Sequence, residues 1–526
     1  MHERSVDSRV TNPPSACAPR WRFALGALGA VAFAVLATAN AGGYRYGASD
    51  QAFYIPAVLR ALDPRAFPRD GALIDVQARL MVIDELLAWI TKATGVSLEW
   101  LFLAGYCLSL LLIWIGLTVI SNLVYRNRWA GIALAAAFTL RYRVPRTSAN
   151  SFEPYFHPRM LAFGVGVMAI AAFLRRRRWI AVALVAASAV VHVTTGLWFA
   201  VLVGVAIVYA DQQFRRLAIV GAAFAAMLAV WVIVAGPLRG AWVRMDATWL
   251  QAVSSKDSLF STDWPVWAWA TNLAFLGLLW WAHLRRQRGG QATREDTALV
   301  WGATALVALF VATLPGVAEG RSLLVQLQIS RVFWLVGFLA LVYVIAVVAD
   351  APDSGSRPAG RRLALVIVAV LVTFSTTRAL YVMLVEHPER ALVALRVPES
   401  NWEDAMRFVA QQPLSAHVLA DPGHAWKYGT SVRVSAGRDV LMEEVKDSAV
   451  AIYSRDVAAR VVDRTNALGD FSALTAARAV ELARRYDLGY LVTETDLALP
   501  LVYRNSQFRI YALDESSLAH MAAARR

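Results

Sequence analysis

The chain has 526 residues, 58% of them hydrophobic and 17% charged, with a mean hydropathy of +0.47. That balance is far from an average soluble domain and points to a polytopic membrane protein. The formal charge of +14 would suit nucleic acid, but the basic residues cluster in short loops between apolar runs. There they match membrane topology and anionic headgroups, so no nucleic-acid partner is expected. The two cysteines, Cys17 and Cys107, leave no disulfide framework and no thiolate metal site.

Residues 1–20 form a basic cytoplasmic tail without a small-residue cleavage site, so the first apolar run, 21–39, reads as a retained anchor. A long loop, 40–99, follows. Its sequence predicts an amphipathic helix over 51–62 with Ser49 or Asp50 at its N-cap, a turn-rich stretch over 63–70 and a second amphipathic helix over 76–91. Further apolar runs at 100–124, 129–140, 160–174, 179–193, 197–210, 217–235, 266–284, 298–314, 332–349 and 363–384 bring the expected count to about eleven spans. No internal repeat is visible, and 350–362, rich in Pro, Gly and Ser, reads as a flexible connector.

Arginines recur on every second loop: Arg126 and Arg128, Arg175 to Arg178, Arg215 and Arg216, Arg285, Arg286 and Arg288, Arg357, Arg361 and Arg362. Loops of that kind stay cytoplasmic. The expected layout is therefore a transmembrane domain over 21–384 and a soluble domain over 385–526 on the outer side, which for a bacterial inner membrane is the periplasm.

Residues suited to chemistry gather on that outer side. Asp50 stands where a Gly-rich exit from the first span meets a helix. An acid there could act on an acceptor hydroxyl or cap the helix, and partial desolvation is expected to raise its pKa. The next outer loop holds Arg141, Arg143 and Arg146, then Glu153, His157 and Arg159. Outer-side arginines run against the usual charge bias, and the guanidinium fork suits a phosphate. The bland alternative is a salt-bridged loop in which Arg143 or Arg146 pairs with Glu153. His192 at the outer end of the fifth span, and Arg321 and Arg331 flanking a short outer segment, complete the candidate anion site. No closed zinc motif is present. If a divalent ion such as Mg or Mn serves as cofactor, Asp50, Glu153 and His157 are the residues to hold it.

Beyond residue 385 the pattern predicts a small α/β domain, with helices over 402–411, 448–468 and 474–486 and strands over 417–420, 490–493 and 508–513. Its charged centre, 437–447, either faces the membrane site or is a solvated loop. The usual soluble-enzyme motifs are absent.

Taken with Asp50 in Tyr46-Gly47-Ala48-Ser49-Asp50-Gln51-Ala52-Phe53-Tyr54, Glu153 in the second outer loop, and the closing stretch Tyr503 to Tyr511, this layout resembles the GT-C superfamily. These polytopic membrane glycosyltransferases include the oligosaccharyltransferases and protein mannosyltransferases, and the likeness is to bacterial members. The chain departs from them in lacking the W-W-D signature and the paired acids of the mannosyltransferase first loop. The resemblance implies an α-helical polytopic GT-C-like fold with a C-terminal α/β domain. It also implies transfer of a sugar from a polyprenyl-phosphate donor, with envelope-glycan assembly proteins as partners. The competing classes are a transporter or flippase of a lipid-linked or anionic solute, and a non-catalytic partner in envelope glycan assembly. A transporter would favour charge near the membrane midplane, whereas here charge gathers at the span ends.

Overall fold

The computed structural model describes residues 20–79, 81–236, 238–350 and 358–524. Most of the N-terminal tail, with Cys17, and most of the expected connector lie outside these residues. Helices form on the eleven apolar runs: α1 (Arg20–Asn40), α5 (Leu98–Val124), α6 (Arg128–Thr139), α7 (Pro158–Leu174), α8 (Arg178–Val191), α9 (Val193–Ala210), α10 (Phe214–Val234), α12 (Val266–Arg288), α13 (Arg294–Ala318), α15 (Val332–Val348) and α16 (Pro358–Tyr381). The shorter α2 (Gln51–Leu62), α3 (Gly71–Ala78), α4 (Ile83–Thr94), α11 (Ala247–Val253) and α14 (Ser322–Leu327) lie in the connections. Among the described residues, six helical stretches are long and apolar enough to cross a membrane: Leu98–Val124, Val193–Ala210, Phe214–Val234, Arg294–Ala318, Ser322–Val348 and Arg361–Glu386. The apolar stretches Ala24–Asn40, Pro158–Leu174 and Arg178–Val191 are shorter.

Polar side chains start several of these helices. His157 accepts from the Arg159 N–H ahead of Pro158 at the opening of α7, His192 accepts from Thr195 N at α9, and Thr293 and Asp296 form a capping box on α13. Each supplies acceptors to N–H groups that the helix cannot satisfy itself. Close packing then needs small residues. A Cβ on Gly166 would stand 2.2 Å from the Phe199 ring, so α7 and α9 meet at contact distance only because that position is glycine. Phe163 stacks on Trp334 at 4.1 Å and ties α7 to α15.

The two ends of the bundle differ in charge. At one end, acids gather the basic loops. Asp350 accepts from the backbone of Arg126 and Asn127, Glu295 holds Arg176 at 2.8 Å and Arg178 at 3.1 Å, and Asp296 lies 3.4 Å from Arg286. The first long loop, the 141–157 loop and the C-terminal domain occupy the other end.

Three sheets are present among the described residues. β1 (Tyr44–Arg45) pairs in parallel with β4 (Val393–Ala394), and β2 (Arg143–Val144) pairs with β3 (Ala149–Asn150) in a hairpin. The C-terminal domain is built on β5 (His417–Leu419), β6 (Asp439–Val440), β7 (Tyr490–Thr493), β8 (Leu501–Arg504) and β9 (Arg509–Ala512), in the order β6-β5-β7-β9-β8. The first three are parallel, and β9 runs antiparallel to both β7 and β8. Its helices are α17 (Asn401–Ala410), α18 (His424–Lys427), α19 (Val432–Ser435), α20 (Glu444–Val450), α21 (Arg455–Leu468), α22 (Ala476–Tyr486) and α23 (Glu515–Ala524).

Two helices expected to be continuous are broken. The 76–91 helix divides into α3 and α4 because its apolar residues serve different cores. Leu73, Ile74 and Val76 pack with Val450 and Ala451, while Ile83, Leu87 and Ala88 pack with Ile55 and Val58. The 448–468 helix divides into α20 and α21 through a 3-10 turn, Ala451–Tyr453. The Ala451 carbonyl there accepts from both the Ser454 N–H at 3.4 Å and Trp249 Nε1 at 2.7 Å.

A buried ionic clamp locks the first loop to the C-terminal domain. Asp70, fully buried, accepts from Arg433 Nε at 2.8 Å, from Val440 N at 3.1 Å and from Arg460. Arg433 also grips Asp447 at 2.6 and 3.1 Å. The backbone N–H groups of Arg69 and Asp70 both donate to Asp439 at 3.0 Å. Burial opposes the charged form of Asp70, but Arg433 and Arg460 outweigh it and hold this carboxyl well below its usual range.

Candidate active site

Asp50 occupies the N-cap position of α2, yet its side chain makes no capping bond. Gln51 supplies the local acceptor instead, taking the Gly47 N–H at 2.6 Å. The Asp50 carboxylate is thus free to turn toward the C-terminal domain, where Lys446 Nζ on α20 donates to Oδ1 at 2.6 Å. On its other side Tyr155 donates to Oδ2 at 3.4 Å, and His157 Nε2 lies 3.5 Å away. Burial would raise the Asp50 carboxyl, but Lys446 and then His157 outweigh burial and hold it well below the carboxylate range. The rise expected from desolvation alone is therefore reversed, because the ammonium arrives from a residue 396 positions along the chain.

His157 is neutral. Burial first, then the neighbouring Arg159 guanidinium, bring it down to about 4. The Arg159 backbone N–H donates to Nδ1 at 3.1 Å, which assigns the ring proton to Nε2, the nitrogen facing Asp50. Tyr54 OH lies 3.3 Å from both ring nitrogens. His192 packs edge-on against His157 with ring centroids 6.3 Å apart. Its Nδ1 is engaged by Thr195 at 3.0 Å.

Glu153 is almost completely buried, with Arg159 at 3.0 Å, Arg141 at 3.7 Å and the Asn150 amide at 3.1 Å. Burial raises its carboxyl, against the pull of Arg159. Its partners are thus Arg159 and Arg141 and not Arg143 or Arg146. Arg159 reaches across to within 5.8 Å of the Trp334 ring. Arg331 stands close enough to Arg159, Asp50, Tyr54 and Tyr453 to feel all four. Its Nε donates only to the Thr147 carbonyl, at 3.4 Å, and it pairs with no carboxylate among the described residues.

The structure therefore brings Asp50, Glu153, His157, Arg159, His192 and Arg331 into one cluster and leaves three candidates outside it. Arg143 is exposed on β2. Arg146 is paired with Asp257. Arg321 bonds Glu319 at 3.0 Å and lies over Trp242. Tyr54, Tyr155, Lys256, Lys446 and Tyr453 belong to the cluster without having been singled out as site residues. For Lys446 a signal existed in the charged 437–447 run. For the tyrosines none did, since a buried tyrosine and a site tyrosine read alike. Lys256 is brought down to about 8 by burial and then by Lys446, while its Nζ donates to the Val445 carbonyl at 2.7 Å.

The residues do not fit a divalent ion. Lys446 takes Asp50, Arg159 and Arg141 take Glu153, and the Nδ1 of His157 faces a backbone N–H. No group of three His, Cys, Asp or Glu able to hold a metal occurs among the described residues.

No protein-family model and no curated protein matches the chain. Among solved structures it is similar to the oligosaccharyltransferase of Archaeoglobus fulgidus in its apo form, at 12% identity and a TM-score of 0.44, over 90% of this chain and 70% of that one. It is also similar to the oligosaccharyltransferase AglB from Archaeoglobus fulgidus, in complex with an inhibitory peptide and a dolichol-phosphate. There the identity is 11% and the TM-score 0.43, over the same shares.

Proposed function

We propose that the chain is a membrane glycosyltransferase of the GT-C kind that transfers a sugar from a polyprenyl-phosphate donor to an acceptor at the outer face of the membrane. One observation carries this reading. Around Asp50 and Glu153 stand Arg141, Arg159, Arg331 and Lys446. Arg141 and Arg159 pair with Glu153 and Lys446 with Asp50, so four cations face two carboxylates, a surplus of two positive charges, and Arg331 has no carboxylate partner among the described residues. Uncompensated charge is costly in a buried site, and a phosphate is the ligand that guanidinium pairs hold best.

In this reading Arg331 and Arg159 hold the donor phosphate beside the outer ends of α7 and α15. The acceptor hydroxyl points at Asp50. Its oxygen bonds to the anomeric carbon as the bond from that carbon to the phosphate oxygen breaks. The bonding pair stays on the lipid phosphate, where the arginines oppose its charge, and the hydroxyl proton passes to Asp50. Lys446 keeps Asp50 ionised and fixed in place, and by lowering its basicity leaves it to take the proton as the hydroxyl bonds to the anomeric carbon. Neutral His157 directs Nε2–H at the same carboxylate.

Purified protein supplied with synthetic polyprenyl-phosphate sugars tests the reading. Asp50→Asn should lower transfer by roughly 10²–10⁴-fold; the amide oxygen can still accept from Lys446 Nζ, and unfolding measured alongside separates lost chemistry from the stability lost with the ion pair. Arg331→Gln should weaken donor binding by about 1.5–3 kcal/mol, the worth of a charged hydrogen bond. Full transfer by Asp50→Asn, or unchanged donor binding by Arg331→Gln, overturns it.

A further inference from the structure

A second basic site lies apart from the Asp50 cluster, where the first and last spans emerge. Arg378 near the end of α16 donates to the Asn40 carbonyl and side chain, both at 2.9 Å, and so ties that helix to the end of α1. The chain leaving α1 then runs beside the chain leaving α16 as the parallel pair β1 and β4. Between this pair and the C-terminal domain is a cavity of about 340 Å³ lined by Arg45, Arg390 and Arg396, with Tyr46, Tyr428 and Thr430 on its walls. Small-ligand sites occupy about 300–1,000 Å³.

The cations of this cavity are unequally matched. Arg390 is satisfied by Glu389 at 3.2 Å. The other acid on the wall, Glu403, is committed to the hydroxyls of Thr430 and Ser435. Arg45 and Arg396 make no side-chain hydrogen bond or ion pair with any described residue, and the Arg45 Nε is buried without a partner. Burial first, then the positive charges of Arg390 and Arg141, bring the Arg45 guanidinium down to about 10. A buried donor left unpaired is costly, and more so when charged.

We propose that this cavity is a phosphate-binding site, separate from the Asp50 cluster, in which Arg45 and Arg396 hold the phosphate of a lipid headgroup or of a soluble phosphoryl compound. Two forked guanidiniums with unused donors converge on one space, which suits the several oxygens of a phosphate better than a single-point anion. The position at the exits of two spans puts that phosphate at headgroup depth. Tyr46 and Tyr428 supply apolar walls for whatever carries it.

The full-length protein in nanodiscs, carrying Arg331→Gln to silence the first cluster, separates the two sources. With phosphatidylcholine alone, inorganic phosphate is titrated and binding followed by thermal shift. With 30% phosphatidylglycerol added, retained lipid is counted by native mass spectrometry. Arg396→Gln is the main variant, since this side chain is exposed and unpaired and its loss leaves the fold intact; Arg45→Gln is the second. Saturable phosphate binding weakened at least tenfold by Arg396→Gln supports the site with a soluble ligand. Phosphatidylglycerol retention that falls in the same variant supports it with a lipid ligand. Equal phosphate affinity and equal lipid retention with and without Arg396 and Arg45 overturn the proposal, as does the absence of both kinds of binding in the parent.

Discussion

Asp70→Ala tests the clamp that holds the C-terminal domain against the first long loop. Removing one partner of a buried ion pair costs about 3–5 kcal/mol because the other charge is left unpaired. Here Arg433 keeps two bonds to Asp447, at 2.6 and 3.1 Å, and lies 3.8 Å from Glu443. The low end, about 3 kcal/mol, is therefore expected. The amides of Arg69 and Asp70, which donate to Asp439, report the opening directly. At 1.4 kcal/mol per decade, their hydrogen exchange should speed up by roughly 100-fold. The effect depends on pH in a fixed sense. The folded pKa of Asp70 lies below its unfolded value, so its contribution is complete above about 3.9 and is lost as pH falls through the lower folded value. The variant should thus differ most from the parent near neutrality. Exchange at Arg69 and Asp70 that changes less than fivefold at pH 7 would refute the clamp as an energetic unit.

Three other outcomes follow from the same geometry. Lys446→Met removes the strongest influence lowering Asp50, so the acid limb of the pH–rate profile for transfer should move to higher pH; an unmoved limb would separate Lys446 from the chemistry. Glu443 is buried with neither oxygen in a hydrogen bond and with Arg433 3.8 Å away, and burial raises it to about 7. It therefore costs stability as pH rises from about 4.5 toward 7, and Glu443→Gln should stabilise the protein at pH 8 and have little effect at pH 4, read by chemical unfolding. Arg143→Gln should leave donor affinity within a factor of two of the parent, since its side chain is exposed outside the cluster; a loss matching that of Arg331→Gln would mean that the cluster is drawn too narrowly.

The periodicity of apolar residues was enough to place the helices on all eleven runs, and the alternation to an α/β pattern after residue 385 was enough to place β5, β7 and β9 of the C-terminal sheet but not β6 or β8. Burial of a helix against lipid or protein depends on local composition, and local composition is what a sequence displays. The same holds for Asp50 at the head of α2 and for the dense 141–159 loop.

Partnership across the chain was decided only by the tertiary structure. Asp50 meets Lys446, Asp70 meets Arg433, and Arg331 comes beside Arg159, each from elements far apart in sequence. These contacts reverse the expected shift of Asp50, and they sort Arg159 and Arg331 from Arg143, Arg146 and Arg321, which look the same in sequence. They also break two expected helices, one whose halves serve different cores and one interrupted where the Ala451 carbonyl meets Trp249 Nε1. The physical reason is common to all of them. A charge is tuned by whatever lies within a few ångströms of it, and folding, which brings Lys446 to Asp50, sets that neighbourhood independently of position along the chain.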